Sequence, residues 1–275
     1  KSDFMKKILA AVDFSEPSKN AARYALALAK DIPGSSLTLY YTYEVMTAGS
    51  DGTPLLVDAD ARKVIASGAL NNLKAELGDA GNVNIDIAIE PGRLSSTLVK
   101  YVEHLGIELI VMGITGTSRL EQIIIGSNTL SVISEDICPV LIVPADATYK
   151  KINKAVLTTD LKDVASTTPV KELQSVLSDL KPELSVAHVA FEVGEMPDSI
   201  KKEKDALQKM LEHFNPAFFH ITDPDFIDAI DKFVKEYKPD MIITVPRKHS
   251  FFKKLFTESY TKKLAYNSQL PILAI

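Results

Sequence analysis

The feature that most constrains the fold is an alternation of strand-like and helix-like segments that runs through the chain twice. Lys7–Asp13 (KILAAVD) opens the first copy, and Lys154–Asp160 (KAVLTTD) opens the second. The closing segments also match, Cys138–Val143 (CPVLIV) with Leu270–Ile275 (LPILAI). The repeat is roughly 130 residues long, far beyond the periods of solenoid arrays. The pattern therefore predicts a duplicated domain.

The predicted elements follow the period of the apolar residues. In the first copy we expect strands at 6–12, 36–43, 83–89, 107–112 and 139–143, and helices at 18–31, 58–77, 94–105 and 127–135. In the second copy we expect strands at 154–159, 184–190, 217–221, 240–244 and 271–275, and helices at 169–180, 197–214, 225–237 and 257–267. Apolar strands that alternate with helices predict an α/β fold, in which each parallel sheet is covered on both faces.

The length of 275 residues favours two domains over one. We expect the first domain at 1–145, the second at 152–275, and a short polar linker at 146–151. The closing strands, 139–143 and 271–275, are both apolar, and an exposed apolar edge strand invites pairing. Our hypothesis is that they pair antiparallel and join the two domains as an intramolecular pseudo-dimer.

Composition excludes several classes of protein. The net charge of −5 does not fit a nucleic-acid binder, and no apolar run reaches the ~18 residues of a membrane span. The basic N-terminus leads into a strand rather than a signal peptide. Cys138 is the single cysteine, so no internal disulfide can form, and a reducing cytoplasm is the expected location.

Candidate binding residues lie after the first and fourth strands. In a doubly wound sheet, small ligands bind beyond the carboxyl ends of the strands, where the strand order reverses. Asp13 follows the first strand, and a loop that starts at Gly113 follows the fourth. Gly113 and Gly116 would let the backbone turn sharply and approach an anion, and Gly126-Ser127 would open a helix whose free N–H groups favour phosphate. The pattern predicts a phosphate-binding rim.

The spacing of these glycines matches neither a P-loop nor a dinucleotide fingerprint. Glycine, two residues, glycine, nine residues, glycine and Ser instead resembles the ATP-binding signature of the universal stress protein family. The segment Asp13–Ser18 (DFSEPS) is also similar to that family. The resemblance covers essentially the whole chain as two copies, with the glycine motif only in the first. It implies two doubly wound five-stranded domains in tandem, each with strand order 3-2-1-4-5.

The resemblance also implies which residues contact an adenine nucleotide. Asp13 would contact adenine or ribose, and Thr42 would meet adenine through its backbone. The ribose and phosphates would lie against Met112, Gly113, Gly116, Gly126, Ser127 and Asn128, and Arg119 would reach a terminal phosphate. Ordinary roles stay open for three of these residues: a turn or cap for Asp13, a strand end for Thr42 and a solvated side chain for Arg119. The expected ligand is ATP, with AMP and ADP as alternatives, and Mg²⁺ would arrive with the phosphates.

The second copy lacks this motif. Aligned on the closing strands, Val245 takes the place of Gly113, Lys248 that of Gly116 and Glu258 that of Gly126. We expect that valine cannot readily adopt the backbone angles of a glycine, and a carboxylate at 258 would repel phosphate. The second domain is therefore expected to serve packing or a different ligand.

Three functions are compatible with these residues. The first is an ATP-binding protein that regulates a stress response through an unidentified protein partner and hydrolyses ATP slowly at most. The second is an adenylyl-transfer enzyme, and the third is a scaffold with a vestigial site. The five histidines are scattered, and the sequence shows neither a metal-ligand cluster nor a nucleophile elbow. The enzyme reading is therefore the weaker one, and no catalytic residue is assigned.

Overall fold

The structure is a computed structural model that describes residues 6–43, 59–116, 123–124, 126–190, 194–246 and 270–275. In the first half it contains β1 (Lys7–Ala11), α1 (Glu16–Asp31), β2 (Ser36–Tyr43), α2 (Ala59–Glu76), β3 (Asn84–Pro91), α3 (Leu94–Leu105), β4 (Leu109–Gly116), β5 (Ile123–Ile124), α4 (Ser127–Ser134) and β6 (Val140–Pro144). Every helix and strand expected there is present. Two differences matter for the candidate site: β4 runs four residues further than expected, and β5 was not expected.

The second half repeats this order. It contains β7 (Lys154–Thr159), α5 (Val164–Thr167), α6 (Val170–Leu180), β8 (Glu183–Ala190), α7 (Asp198–Met210), a 3-10 turn (Glu212–Phe214), β9 (Ala217–Thr222), α8 (Phe226–Tyr237), β10 (Met241–Thr244) and β11 (Ile272–Ala274). The helix expected at 257–267 lies outside the described residues. Pro169 separates α5 from α6, because proline cannot continue a helix that precedes it.

The strands join into one 11-stranded sheet with the order β3-β2-β1-β4-β6-β11-β10-β7-β8-β9, and β5 pairs with β4. The first five positions give the order 3-2-1-4-5 within the first half, with all strands parallel, which confirms the expected fold. The second half has the mirrored order. At the centre β11 and β6 pair antiparallel, with Leu273 opposite Leu141. This is the pairing that the sequence predicts between the closing strands.

The hydrophobic core is continuous on one face of the sheet and divided on the other. On the first face, buried residues of both halves form a single cluster that includes Ile8, Leu141, Leu157 and Leu273. On the second face, α3 and α4 cover one cluster in the first half, and α8 covers another in the second half. The described helices include none with the length and hydropathy of a membrane span.

The segment between the halves packs against α1. Ala147 and Ile152 are each 2% exposed. Asn20 Nδ2 donates to the carbonyl oxygens of Pro144 (3.2 Å) and Ala147 (2.9 Å), and Tyr149 Oη donates to the Asp31 carboxylate at 2.6 Å. The stretch that the sequence presents as a polar linker is thus tied to the first half by buried side chains and hydrogen bonds.

Candidate functional site

The carboxyl ends of β1, β2 and β4 meet at one edge of the first half. Ala11, the last residue of β1, is paired with Tyr40 of β2 and with Met112 of β4. Asp13 comes two residues after Ala11, and Thr42 comes two residues after Tyr40. The topology therefore brings Asp13, Thr42 and the end of β4 to the same rim, as the sequence predicts.

The backbone of Thr42 is directed toward the space past the end of β1. Val12 N–H donates to Tyr40 O at 2.8 Å, whereas Gly92 N–H on the other side donates to Tyr43 O at 2.9 Å. Hydrogen-bonding groups alternate between the two neighbouring strands in a parallel sheet. The N–H and C=O of Thr42 therefore face the β1 side, beyond the bond from Val12. A purine edge could use these two groups as a strand would.

Asp13 organises the turn between β1 and α1. Its Oδ1 accepts hydrogen bonds from Ser15 N at 2.9 Å and from Ser15 Oγ at 2.5 Å, and its own N–H donates to Ser18 Oγ at 3.3 Å. Partial burial raises the pKa of Asp13, but the hydrogen bonds from Ser15 and Ser18 lower it by more, so the net pKa lies below its ordinary value. Asp13 is thus a turn residue and an ionised carboxylate. A nucleotide contact stays a prediction.

The turn at Asp13 leads directly into the N-terminus of α1. Ser15 is the N-cap, its side chain accepts from Ser18 N at 3.4 Å, and Pro17 lies in the first turn. Phe14 has φ 65°, and its counterpart Leu161 in the second half has φ 48°. Both are bulky residues in the left-handed region, which is uncommon. The same turn geometry is therefore kept in both copies.

Gly113 lies in a strand, not in the loop that the sequence analysis expects. β4 runs from Leu109 to Gly116, and the φ of Gly113 lies outside the left-handed region. A Cβ at Gly113 would approach Pro17 O to 2.2 Å and Pro17 C to 2.5 Å. The expectation that Gly113 supplies a special backbone angle is thus wrong. Glycine is needed because α1 begins directly against β4.

β5 brings the chain back to the end of β4. Ile124 pairs antiparallel with Thr115, and Ile123 pairs with Gly116. The segment 117–122 between them, which contains Arg119, lies outside the described residues. The signal for β5 was present in the apolar β-branched run at 123–125, since such residues favour strands. Because β5 pairs with the end of β4, the start of α4 is held beside the rim.

The N-cap residue of α4 is a glycine, which has no side chain to cap the helix. Gly126 occupies the N-cap position with φ −59° and ψ 150°, and no acidic residue lies in the first turn. Gly126, Ser127 and Asn128 are exposed. The first N–H groups of a helix have no partner within it, and they form an anion site together with the helix dipole. A Cβ on Gly126 would meet no atom of the described residues within 4 Å, so the described part of the fold does not require glycine there.

Met112 contributes an apolar surface below this rim. It is 5% exposed and packs with Ala11 and Ile114 on the face that α3 and α4 cover. In the second half, Thr158 and Thr244 stand at the positions of Ala11 and Met112, and Val245 stands at that of Gly113. The two residues below the rim are therefore apolar in the first copy, whereas both carry a hydroxyl group in the second.

Within the described ranges, no group of three or more His, Cys, Asp and Glu side chains is placed to hold a metal ion. The Mg²⁺ that the sequence analysis expects with the phosphates thus finds no such cluster near Asp13. A Mg²⁺ ion that binds with a nucleotide commonly keeps several waters and uses one carboxylate or none from the protein.

Comparison with known proteins identifies the family. The family model described as "Universal stress protein family" matches residues 5–144, which is half of the chain. The chain belongs to the universal stress protein family. A universal stress protein of Methanocaldococcus jannaschii is 31% identical over 140 residues, which cover 50% of this chain and 81% of that protein.

The likeness to a solved structure extends over both halves. The crystal structure of a universal stress protein from Archaeoglobus fulgidus matches with a TM-score of 0.71 and covers 98% of each chain. Sequence identity is 18%, so this comparison concerns the fold. Both halves of this chain therefore share the fold of that protein.

Proposed function

We propose that the first half binds ATP at the rim formed by β1, β2, β4 and the N-terminus of α4. The observation that carries this proposal is the uncapped start of α4 at Gly126, held by β5 next to Thr115 and Gly116. Backbone donors without a side-chain cap, close to a strand end in a doubly wound sheet, suit a phosphate group.

The base would bind at the opposite end of the rim. The N–H and C=O of Thr42 offer one donor and one acceptor, which matches the edge of adenine. Met112 supplies a buried apolar surface below, and the Asp13 carboxylate suits the hydroxyls of a ribose. Recognition would thus rest on backbone groups and one carboxylate.

The phosphates would bind between Gly116 and the first turn of α4. Gly126 leaves the space in front of its Cα open, and the hydroxyl of Ser127 and the amide of Asn128 are exposed at the same turn. Mg²⁺ would accompany ATP through the phosphates, and Arg119 would contact the last phosphate. AMP and ADP would occupy the same site with fewer of these contacts.

One ATP is expected per chain. The second half has Val245 at the position of Gly113, and the sequence has Glu258 at that of Gly126. A carboxylate at a helix N-terminus competes with phosphate for the same backbone donors. The second half would therefore support the first by packing, and the halves would act as a pseudo-dimer with a single nucleotide.

The proposed role is regulatory. The chain would act in the cytoplasm in a stress response, and a protein partner would bind its ATP-bound form. None of the rim residues named above is a histidine, so no general base is assigned. Hydrolysis would be far slower than the ~1 per second or more that is ordinary for enzymes.

Isothermal titration of the purified chain with ATP and Mg²⁺ tests the proposal. We expect saturable binding at one site per chain, and strong loss of affinity in Gly126→Glu, which copies the second half. Gly126→Ala is the matched control for steric effects, since its Cβ would contact no atom in the described part of the chain. A wild-type chain with no affinity for adenine nucleotides would contradict the proposal and favour a scaffold. Turnover above about one per second would favour an enzyme.

A further inference from the structure

A pair of histidines lies side by side on the second half. His188 of β8 is directly in register with His220 of β9. Their rings stack with centroids 5.3 Å apart and an interplanar angle of 25°. The counterpart of His188 in the first half is Tyr41, which packs on Phe14. The histidine pair is thus a feature of the second copy, and the proposed ATP site does not use it.

The ring of His188 is fixed by a backbone hydrogen bond. Its Nδ1 lies 3.1 Å from the carbonyl oxygen of Thr159. A carbonyl can only accept, so Nδ1 carries the proton and, in the neutral ring, Nε2 keeps the free lone pair. Histidines that bind metals commonly have this arrangement, because a hydrogen bond at one nitrogen orients the other toward the ion.

The two histidines differ in their exposure. His188 is 8% exposed, whereas His220 is exposed on β9, the last strand of the sheet. The pair therefore combines a ring that a backbone hydrogen bond holds in place with a ring that an ion in solution can reach.

We propose that His188 and His220 form a two-histidine site for a divalent transition metal such as Zn²⁺, Ni²⁺ or Cu²⁺. Imidazole suits these ions, whereas Mg²⁺ and Ca²⁺ prefer oxygen ligands. Two metal–nitrogen bonds of about 2.0–2.1 Å span up to about 4 Å between the nitrogens, so the exposed ring of His220 would have to turn toward the fixed ring of His188 to share an ion with it. Water completes the coordination, since no third His, Cys, Asp or Glu joins the pair among the described residues.

The charges near the pair limit how tightly the metal binds. The Asp160 carboxylate attracts a cation, whereas the Lys162 ammonium opposes it. Lys204 of α7 also lies near this face, with its Nζ 5.5 Å from the ring centroid of Phe218, two residues before His220 on β9. These opposing charges leave a labile site rather than a structural one.

Titration of the untagged full-length chain with NiCl₂ and, separately, with ZnCl₂ tests this site. We expect one ion per chain in the absence of ATP, and no binding of Mg²⁺ at the pair. His220→Asn should weaken the affinity by about tenfold or more, and His188→Gln should do the same. His213→Asn is the matched control, since His213 is exposed and lies in the 3-10 turn Glu212–Phe214 rather than on β8 or β9.

A spectroscopic readout separates loss of the ligand from loss of the fold. In wild-type protein labelled with ¹⁵N, Zn²⁺ should shift the imidazole signals of two histidines, and His220→Asn should remove one of them. Unchanged affinity in His220→Asn, or no saturable binding of either ion to the wild-type chain, would overturn the proposal. Neither outcome depends on whether the first half binds ATP.

Discussion

Pro17 and Gly113 approach so closely that a methyl group cannot fit between them. A Cβ at Gly113 would lie 2.2 Å from the carbonyl oxygen of Pro17 and 2.9 Å from the backbone nitrogen of Ser18. Both obstacles are backbone atoms, so relief requires that α1 move away from β4. Gly113→Ala should therefore destabilise the protein by about 1–3 kcal/mol or more, as overpacking does. Urea unfolding followed by circular dichroism measures this, and wild-type stability in the variant would contradict it.

Gly126 gives the opposite expectation at a neighbouring site. Its φ of −59° suits any residue, and a Cβ would have none of the described atoms within 4 Å. Gly126→Ala should leave the unfolding midpoint within the range of ordinary surface substitutions, about ±0.5 kcal/mol. Any change in ATP affinity in this variant then reports on the ligand alone. A large loss of stability in Gly126→Ala would show that the start of α4 is packed more tightly than described.

These two glycines show how far the sequence could lead. The motif places both at the rim, and the rim is found where the strand order predicts. Their reasons differ, however: Gly113 makes room for α1, whereas Gly126 leaves a helix end open. The first reason depends on a contact between residues almost a hundred positions apart, which no local pattern contains.

The sequence also failed to predict where β4 ends and how the linker packs. The apolar period predicted β4 only to residue 112, because the glycines that follow are usually loop residues. The strand continues to Gly116 because β5 pairs with its last two residues. The linker at 146–151 was likewise expected to be short and polar, but Ala147 within it is buried in the core. Tertiary contacts decided both cases.

Acid should weaken the turn between β1 and α1. The pKa of Asp13 lies below its ordinary value in the folded chain, so folding favours its ionised form. That stability is present above the unfolded pKa of about 3.9 and is lost as pH falls through the lower folded pKa. The difference in unfolding free energy between wild type and Asp13→Asn should therefore shrink between pH 5 and pH 3. Asp60→Asn serves as the control for net charge, and a constant difference for Asp13→Asn would contradict the expectation.

The packing of the interdomain segment depends on one amide. Asn20 Nδ2 donates to the carbonyls of both Pro144 and Ala147. Asn20→Ala leaves both acceptors without this donor, which should cost about 1–3 kcal/mol of stability. Asn71→Ala is the matched control, because Asn71 is exposed on α2 and its Nδ2 donates to Ser67 O, within the same helix, at 2.9 Å. Denaturant unfolding of the two variants should differ by more than the experimental error.

Cys138 should be inert in the folded protein. Burial raises the pKa of its thiol to about 12, although a backbone hydrogen bond from Ile110 lowers it in part. The thiolate is the reactive species, so at pH 8 the native thiol should react with Ellman's reagent at least about a hundredfold more slowly than in denaturant. Fast labelling of the native chain would show that the environment of Cys138 opens readily.

The two halves should unfold as one unit. Their closing strands β6 and β11 pair at the centre of the sheet, and buried residues of both halves belong to one hydrophobic cluster. Leu141 of β6 and Leu273 of β11 lie opposite each other, and each is 1% exposed. Each substitution by alanine should cost about 2–5 kcal/mol. Because the two side chains belong to one cluster, the double variant should show a coupling of about 0.5–3 kcal/mol. Leu98→Ala, on the other face of the sheet, should be as destabilising as Leu141→Ala but additive with Leu273→Ala.

Calorimetry should give one unfolding transition for the wild type, because the two halves share this cluster. Two separate transitions in the wild type, or full additivity of Leu141→Ala with Leu273→Ala, would mean that the junction between β6 and β11 does not couple the halves.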